Sequence, residues 1–233
     1  MMLPILKLTN AGPERISNQK DMTIKMKKIY IVGHGWGYAN WMEGERVDSM
    51  READLVVFTG GEDIDPRIYG KQAHPATYFN RRRDRDEIEA FGLARQLGKK
   101  MIGICRGAQL LCALAGGTLV QNQNHPWIHY MKTKDGPQLL TNSMHHQRAF
   151  PWGGNHPNFE LLGWAEEGLS PYNEGVDRKD NMQGHPEAEI VLYPNIKGLA
   201  IQGHPEMAYP PQRPWENDFI GYCRIQLDRL MEL

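Results

Sequence analysis

One cysteine stands between two glycines, in Gly103-Ile104-Cys105-Arg106-Gly107. Met101 to Ile104 before it is an apolar run, and Arg106 to Ala115 after it reads as a helix closed by Gly116-Gly117. Strand, Gly-x-Cys-x-Gly and helix together describe the thiol version of a nucleophile elbow. Gly103 and Gly107 let strand and helix pass closely, and the turn lifts the thiol out of the sheet at a helix N-terminus. That position favours thiolate over thiol. The backbone N–H of Arg106 points where the oxyanion of a tetrahedral intermediate would form. Cysteine is often a plain core residue. That reading suffices for Cys112 and Cys223, which lack these neighbours, but a glycine-flanked Cys105 at a strand-to-helix junction is an odd core residue.

A thiolate nucleophile needs a base, and the base needs an orienting group. Two identical five-residue segments offer them, Gln183-Gly-His-Pro-Glu187 and Gln202-Gly-His-Pro-Glu206. In open parallel sheets the working groups lie at the carboxyl ends of strands. His204 follows the apolar run Gly198 to Gln202, whereas His185 follows a polar stretch, Asp177 to Met182, and precedes its strand. His204 is therefore expected as general base with Glu206 as its carboxylate, and His185 as a surface-loop histidine. Thr59-Gly60-Gly61 ends a further apolar run. Glycines there can expose an N–H to a substrate carbonyl, so the Gly61 amide is expected as the second oxyanion donor.

The elements that must position these groups are legible in outline. Lys28 to Val32, Asp54 to Thr59 and Met101 to Ile104 read as buried strands, and Asp84 to Leu97 as a helix stopped by Gly98. Continuous apolar strands separated by helices indicate a parallel sheet covered on both faces. Gln121 to Arg178 is rich in Pro, Gly, Asn and His, and is expected to hold short strands rather than a second domain. Glu189 to Tyr193 and Gly198 to Gln202 read as late strands, and Phe219 to Leu233 as a terminal amphipathic helix. Residues 1–27 read as an N-terminal extension, and 28–233 as a single α/β domain.

Bulk composition narrows the function classes. Of 233 residues, 27 are Lys or Arg and 28 are Asp or Glu, so no basic excess points to nucleic acid. The dense charge run Arg81 to Glu87 reads, on charge alone, as a solvated loop leading into a helix. Three irregularly spaced cysteines form no disulfide framework, which suits a reducing, cytoplasmic compartment. No apolar run approaches the roughly 18 residues a membrane span needs.

In order along the chain stand Thr59-Gly-Gly-x-Asp-x-x-Pro-x-x-Tyr-Gly70, Arg83-Asp84-x-x-Glu87, Gly103-Ile-Cys-Arg-Gly-Ala-Gln109, Gly116-Gly-Thr-Leu119, Asn142-Ser-x-His-His-Gln147 and Gly203-His-Pro-Glu206. This set resembles the class I glutamine amidotransferase superfamily, and most of all its branch of γ-glutamyl hydrolases and γ-glutamyl-γ-aminobutyrate hydrolase. The resemblance implies a flavodoxin-like, mostly parallel sheet with helices on both faces. It implies a triad of Cys105, His204 and Glu206 that cleaves a γ-glutamyl amide bond through a thioester, without cofactor or metal. It also implies that Gln109 helps hold the glutamyl group, with His145, His146 and Gln147 bordering the pocket. The implied ligand is a small γ-glutamyl compound or glutamine. The implied setting is a stand-alone hydrolase or a glutaminase subunit serving a separate synthase partner. Two features depart from the hydrolase branch: Asp177 to Pro194 replaces its usual Asp-Gly-x-x-Glu stretch, and Gly203 stands where many hydrolases carry Trp.

Other readings are weaker. Gly33-His-Gly-Trp-Gly37 follows a strand but lacks the last glycine of a dinucleotide loop, and reads as a loop near the active site. His125 and His129 are four apart, but Pro126 works against a helix there. His145 and His146 are adjacent, so in a strand at most one would reach the pocket. A ligand-binding domain without activity is the non-enzyme reading, and the presence of all three triad residues argues against it.

Overall fold

The computed structural model describes residues 26–35, 37–123, 126–155, 158–166 and 184–233. The expected extension, but for its last two residues, and the polar stretch Asp177 to Met182 lie outside the described residues. In chain order the first half contains β1 (Lys27–Val32), β2 (Gly44–Arg46), β3 (Leu55–Phe58), α1 (Arg81–Gln96), β4 (Lys100–Ile104), α2 (Arg106–Ala115) and β5 (Thr118–Val120). The second contains β6 (Ile128–Thr133), β7 (Leu139–Asn142), β8 (Arg148–Phe150), β9 (Glu160–Ala165), β10 (Ala188–Tyr193), β11 (Gly198–Ile201) and α3 (Pro214–Met231).

Nine strands form one sheet in the order β2-β1-β3-β4-β11-β10-β9-β6-β7, and β5 pairs with β8 in a small second sheet. From β2 to β11 every pairing is parallel, and from β11 to β7 every pairing is antiparallel. The architecture is the expected α/β fold, a mixed sheet with helices on both faces. Alternation along the strands feeds two cores. Leu55, Val57, Ile102, Ile104, Leu199 and Ile201 join the cluster that holds Phe219 and Leu227 of α3. Val56, Phe58, Met101 and Ala200 join Phe91 of α1 and Leu110 and Leu111 of α2 on the other face. Leu55 to Phe58 are all buried, as a strand covered on both sides must be.

Four of the short strands expected between 121 and 178 are present. β6, β7 and β9 extend the main sheet. β6 alternates exposed and buried residues, the pattern of a half-covered strand. Two helices begin earlier than expected. Asn80 caps α1 by accepting from the N–H groups of Arg82 and Arg83 at 3.1 and 3.2 Å. The charge run Arg81 to Glu87 is therefore not a solvated loop but the first turns of α1. Pro214 opens α3, and the Glu216 carboxylate takes the N–H groups of Gln212 and Arg213 at 2.6 and 2.8 Å. Proline tolerates the first helical position because its missing N–H would be unpaired there anyway. No described helix is long and apolar enough to cross a membrane.

Register is what builds the site. β4 lies between β3 and β11, with Phe58 opposite Gly103 and Ile201 opposite Ile104. All three strands run the same way, so the residues that follow them, Thr59, Cys105 and Gln202, emerge side by side at one edge.

Candidate active site

Cys105 has φ 52° and ψ −107°, a conformation costly for any residue with a Cβ. Its N–H still bonds Ile201 O at 2.8 Å, so the kink begins while the chain is held in the sheet. The flanking glycines are sterically required. A Cβ on Gly103 would lie 2.2 Å from Gly107 O, and one on Gly107 would lie 2.1 Å from Phe58 O. The thiol is 5% exposed. Arg106 is the first residue of α2, so its N–H has no intrahelical acceptor.

His204 comes off the end of β11 into the same place. Its Nδ1 lies 2.7 Å from Glu206 Oε1. Burial alone would lower the His204 pKa. Hydrogen bonds to Cys105 and Glu206 and their charges outweigh it, and raise the value from 6.5 to about 10. The His204 backbone is clamped by one side chain. Asn142 Oδ1 accepts its N–H at 2.6 Å, and Asn142 Nδ2 donates to its carbonyl at 2.9 Å. Asn142 ends β7, so the last strand of the antiparallel half holds the backbone of the histidine.

The third strand end supplies Gly60 and Gly61. A Cβ on Gly60 would come within 3.1 Å of His204 Cε1, 3.4 Å of Tyr38 Oη and 3.6 Å of Cys105 Cβ. The Gly60 backbone thus packs closely against the imidazole and the Cys105 Cβ. The Gly60 N–H donates to Tyr38 Oη at 3.1 Å. Burial, with the Glu206 charge, pushes the Tyr38 phenol up to about 12, so it stays protonated. Tyr38 follows the Gly33 to Gly37 segment, which therefore borders the site.

A cavity of about 130 Å³ reaches Cys105 and is lined also by Gly61, Glu62, Gln109, His145 and His146. Both adjacent histidines line it, contrary to the expectation for a strand, because 143–147 is not a strand. His146 Nε2 lies 3.1 Å from Asp63 Oδ2, and that contact raises its pKa against the effect of burial. Gln109 Nε2 donates to Gln147 O at 2.9 Å. Gln147 itself is fully buried and donates to Thr77 Oγ1 at 3.2 Å. It sits behind the cavity wall, whereas Gln109, His145 and His146 are on it.

Sequence reasoning missed the ionic scaffold behind the elbow. Arg106 is completely buried and pairs with Asp84 Oδ1 at 2.6 Å and with Glu87. Arg83 bonds Glu87 Oε1 at 2.8 Å. Arg83 and Glu87 are four apart, one helical turn, so a helical reading of the charge run would have put them on one face.

Residues 42–151 match the model of the Peptidase C26 family. A Mycobacterium tuberculosis protein named as a glutamine amidotransferase is 47% identical over 68 residues, 29% of this chain and 22% of that protein. The glutamine amidotransferase-like protein YvdE of Lactococcus lactis is 26% identical over 160 residues, 67% of each chain. The matched region is similar to the Peptidase C26 family. It contains Gly60, Gly61 and Cys105, while His204 and Glu206 lie beyond it and are brought in by β11. A solved glutamine amidotransferase from Thermotoga maritima superposes with a TM-score of 0.58 at 14% identity, covering 89% of this chain and 99% of that one. That likeness is one of fold.

Proposed function

We propose that residues 28–233 form one catalytic domain of the class I glutamine amidotransferase type, a thiol amidohydrolase that cleaves a γ-glutamyl amide bond. The observation that carries this is the convergence of three strand ends. They bring Cys105 on a strained elbow, the His204–Glu206 pair and the Gly60-Gly61 backbone together, and Cys105 and Gly61 open on one small cavity. The Cys105 thiolate attacks the γ-carbonyl, and the Gly61 and Arg106 N–H groups hold the oxyanion. The C–N bond breaks, and the His204 imidazolium gives its proton to the leaving amine. His204 then takes a proton from water, hydroxide adds to the thioester, and the C–S bond breaks to release glutamate. Gln109, His145 and His146 hold the glutamyl group, with Gln147 supporting Gln109 from behind.

A stand-alone γ-glutamyl hydrolase is the favoured setting, with Asp63, Pro66, Tyr69 and Gly70 in the spacing of that branch. One observation favours the second reading, a glutaminase subunit that passes ammonia to a synthase. A Cβ on Gly203 would lie 2.7 Å from Thr141 Oγ1 and 2.9 Å from Asn142 O. The tryptophan of many hydrolases cannot be accommodated there. The purified chain alone should be given glutamine, γ-glutamyl amines and γ-glutamyl peptides, and compared by kcat/KM. Turnover of a γ-glutamyl amine with poor use of glutamine supports the hydrolase. Glutamine turnover that starts only when a second protein is added identifies the subunit. Release of glutamate no faster than by Cys105→Ala, both alone and with the second protein, rules out both.

A further inference from the structure

We propose that Arg83 is a positioning residue for the oxyanion donor Gly61, an inference that rests on the amidohydrolase reading above. The Arg83 side chain is only 13% exposed. Nη2 donates to Gly60 O at 2.8 Å and to Thr59 Oγ1 at 3.2 Å, with a longer contact to Thr59 O at 3.4 Å. Nε and Nη1 are held by Glu87 Oε1 at 2.8 Å and Glu62 Oε2 at 2.5 Å. The guanidinium is therefore fixed from one side by carboxylates, and grips the glycine loop with the other.

The consequence follows from peptide geometry. Gly60 O and the Gly61 N–H belong to one planar trans unit and point in opposite directions. Holding the oxygen on Arg83 turns the N–H away from Arg83. Gly61 lines the cavity that contains Cys105, and among the described residues its N–H donates to nothing. The neighbouring Gly60 N–H is already engaged by Tyr38 Oη. Gly61 has φ 146°, and a Cβ there would lie 2.1 Å from Arg83 Nη1. A glycine pair is free to flip its peptide plane at little cost, so an external grip is what keeps this donor aimed before substrate arrives. Glu87 also holds Arg106, whose own N–H is the other donor. One carboxylate thus ties together the supports of both donors.

The test compares the wild-type chain with Arg83→Lys and Glu62→Gln, on the γ-glutamyl substrate and against iodoacetamide. Lysine keeps the charge but cannot grip the loop and both carboxylates at once. Glu62→Gln loosens Arg83 without removing it. Arg83→Lys is expected to lower kcat about 10–100-fold, somewhat less than outright loss of one oxyanion donor, with KM nearly unchanged. Glu62→Gln should lower it a few-fold. Alkylation of Cys105 forms no oxyanion, so its rate should stay at the wild-type value in both. Methylguanidinium should restore part of kcat to Arg83→Ala, since Arg83 also lines a hollow of about 480 Å³ through which a small cation can enter. Unchanged kcat in Arg83→Lys overturns the proposal, as does a parallel fall in alkylation, which would mean general collapse of the site. Absence of turnover by the wild-type chain, alone and with a second protein, would sink the amidohydrolase reading itself, and this inference with it.

Discussion

Two copies of Gln-Gly-His-Pro-Glu meet different fates in this molecule. Residues 202–206 leave the end of β11, which runs parallel beside β4, and His204 is 8% exposed with Glu206 on its Nδ1. In the other copy the described residues 184–187 lead into β10, which runs antiparallel. His185 there is exposed and stacks on Trp152 with ring centroids 4.9 Å apart. Its Glu187 is buried, and its charge acts on the buried Arg148. The same five residues make a buried imidazole–carboxylate pair in one place and a surface stack in the other. Strand direction and the neighbour across the sheet make the difference, not local sequence.

The contrast is tested most severely by His204→Ala. Removing the base and proton carrier should lower kcat by about 10³-fold or more. The measurement is steady-state release of glutamate. Glu206→Gln comes next: it keeps the shape but withdraws the charge that orients the ring, and a fall of roughly 10²-fold is expected. A mutant as active as wild type would mean that Glu206 is no more an orienter than Glu187.

The third effect is electrostatic. Cys105→Ala removes one of the two partners that raise His204, so the histidine should titrate below about 10. NMR titration of the ring reads this directly. The sign for stability follows from linkage. A raised folded-state pKa contributes stability that is fully present below about 6.5, the unfolded value, and is lost as pH rises through about 10. In Cys105→Ala the contribution should be smaller and its loss complete at lower pH. The smallest effect is expected for His185→Ala, with kcat within about two-fold of wild type and stability lowered by no more than about 1 kcal/mol for the lost ring contact. Equal damage from His185→Ala and His204→Ala would erase the distinction altogether.

Local chemistry was readable because it is local. Gly-x-Cys-x-Gly between an apolar run and a helix permits little else, and the 2.2 and 2.1 Å approaches at Gly103 and Gly107 show why. Buried strands announced themselves as unbroken apolar runs. The half-covered strands β6 and β9 did not, since alternating residues among prolines and glycines resemble loop. The charge run at the start of α1 was misread for a related reason. Composition reports charge, but only the partner decides whether charge is solvated, and that partner, Arg106, is 22 residues from Asp84 along the chain.

By itself the sequence determined the glycine-flanked elbow at Cys105, the expected pair of His204 and Glu206, the glycine loop and the main buried strands, because these depend on residue type and on periods of two and 3.6 residues. Only the tertiary structure decided which atoms hold which. It put the Asn142 amide on the His204 backbone, Tyr38 Oη on the Gly60 N–H, and Arg83 on the Gly60 carbonyl. Each is a hydrogen bond between groups 22 to 62 residues apart. Such contacts follow from sheet order and register, which pairwise patterns along one strand do not encode.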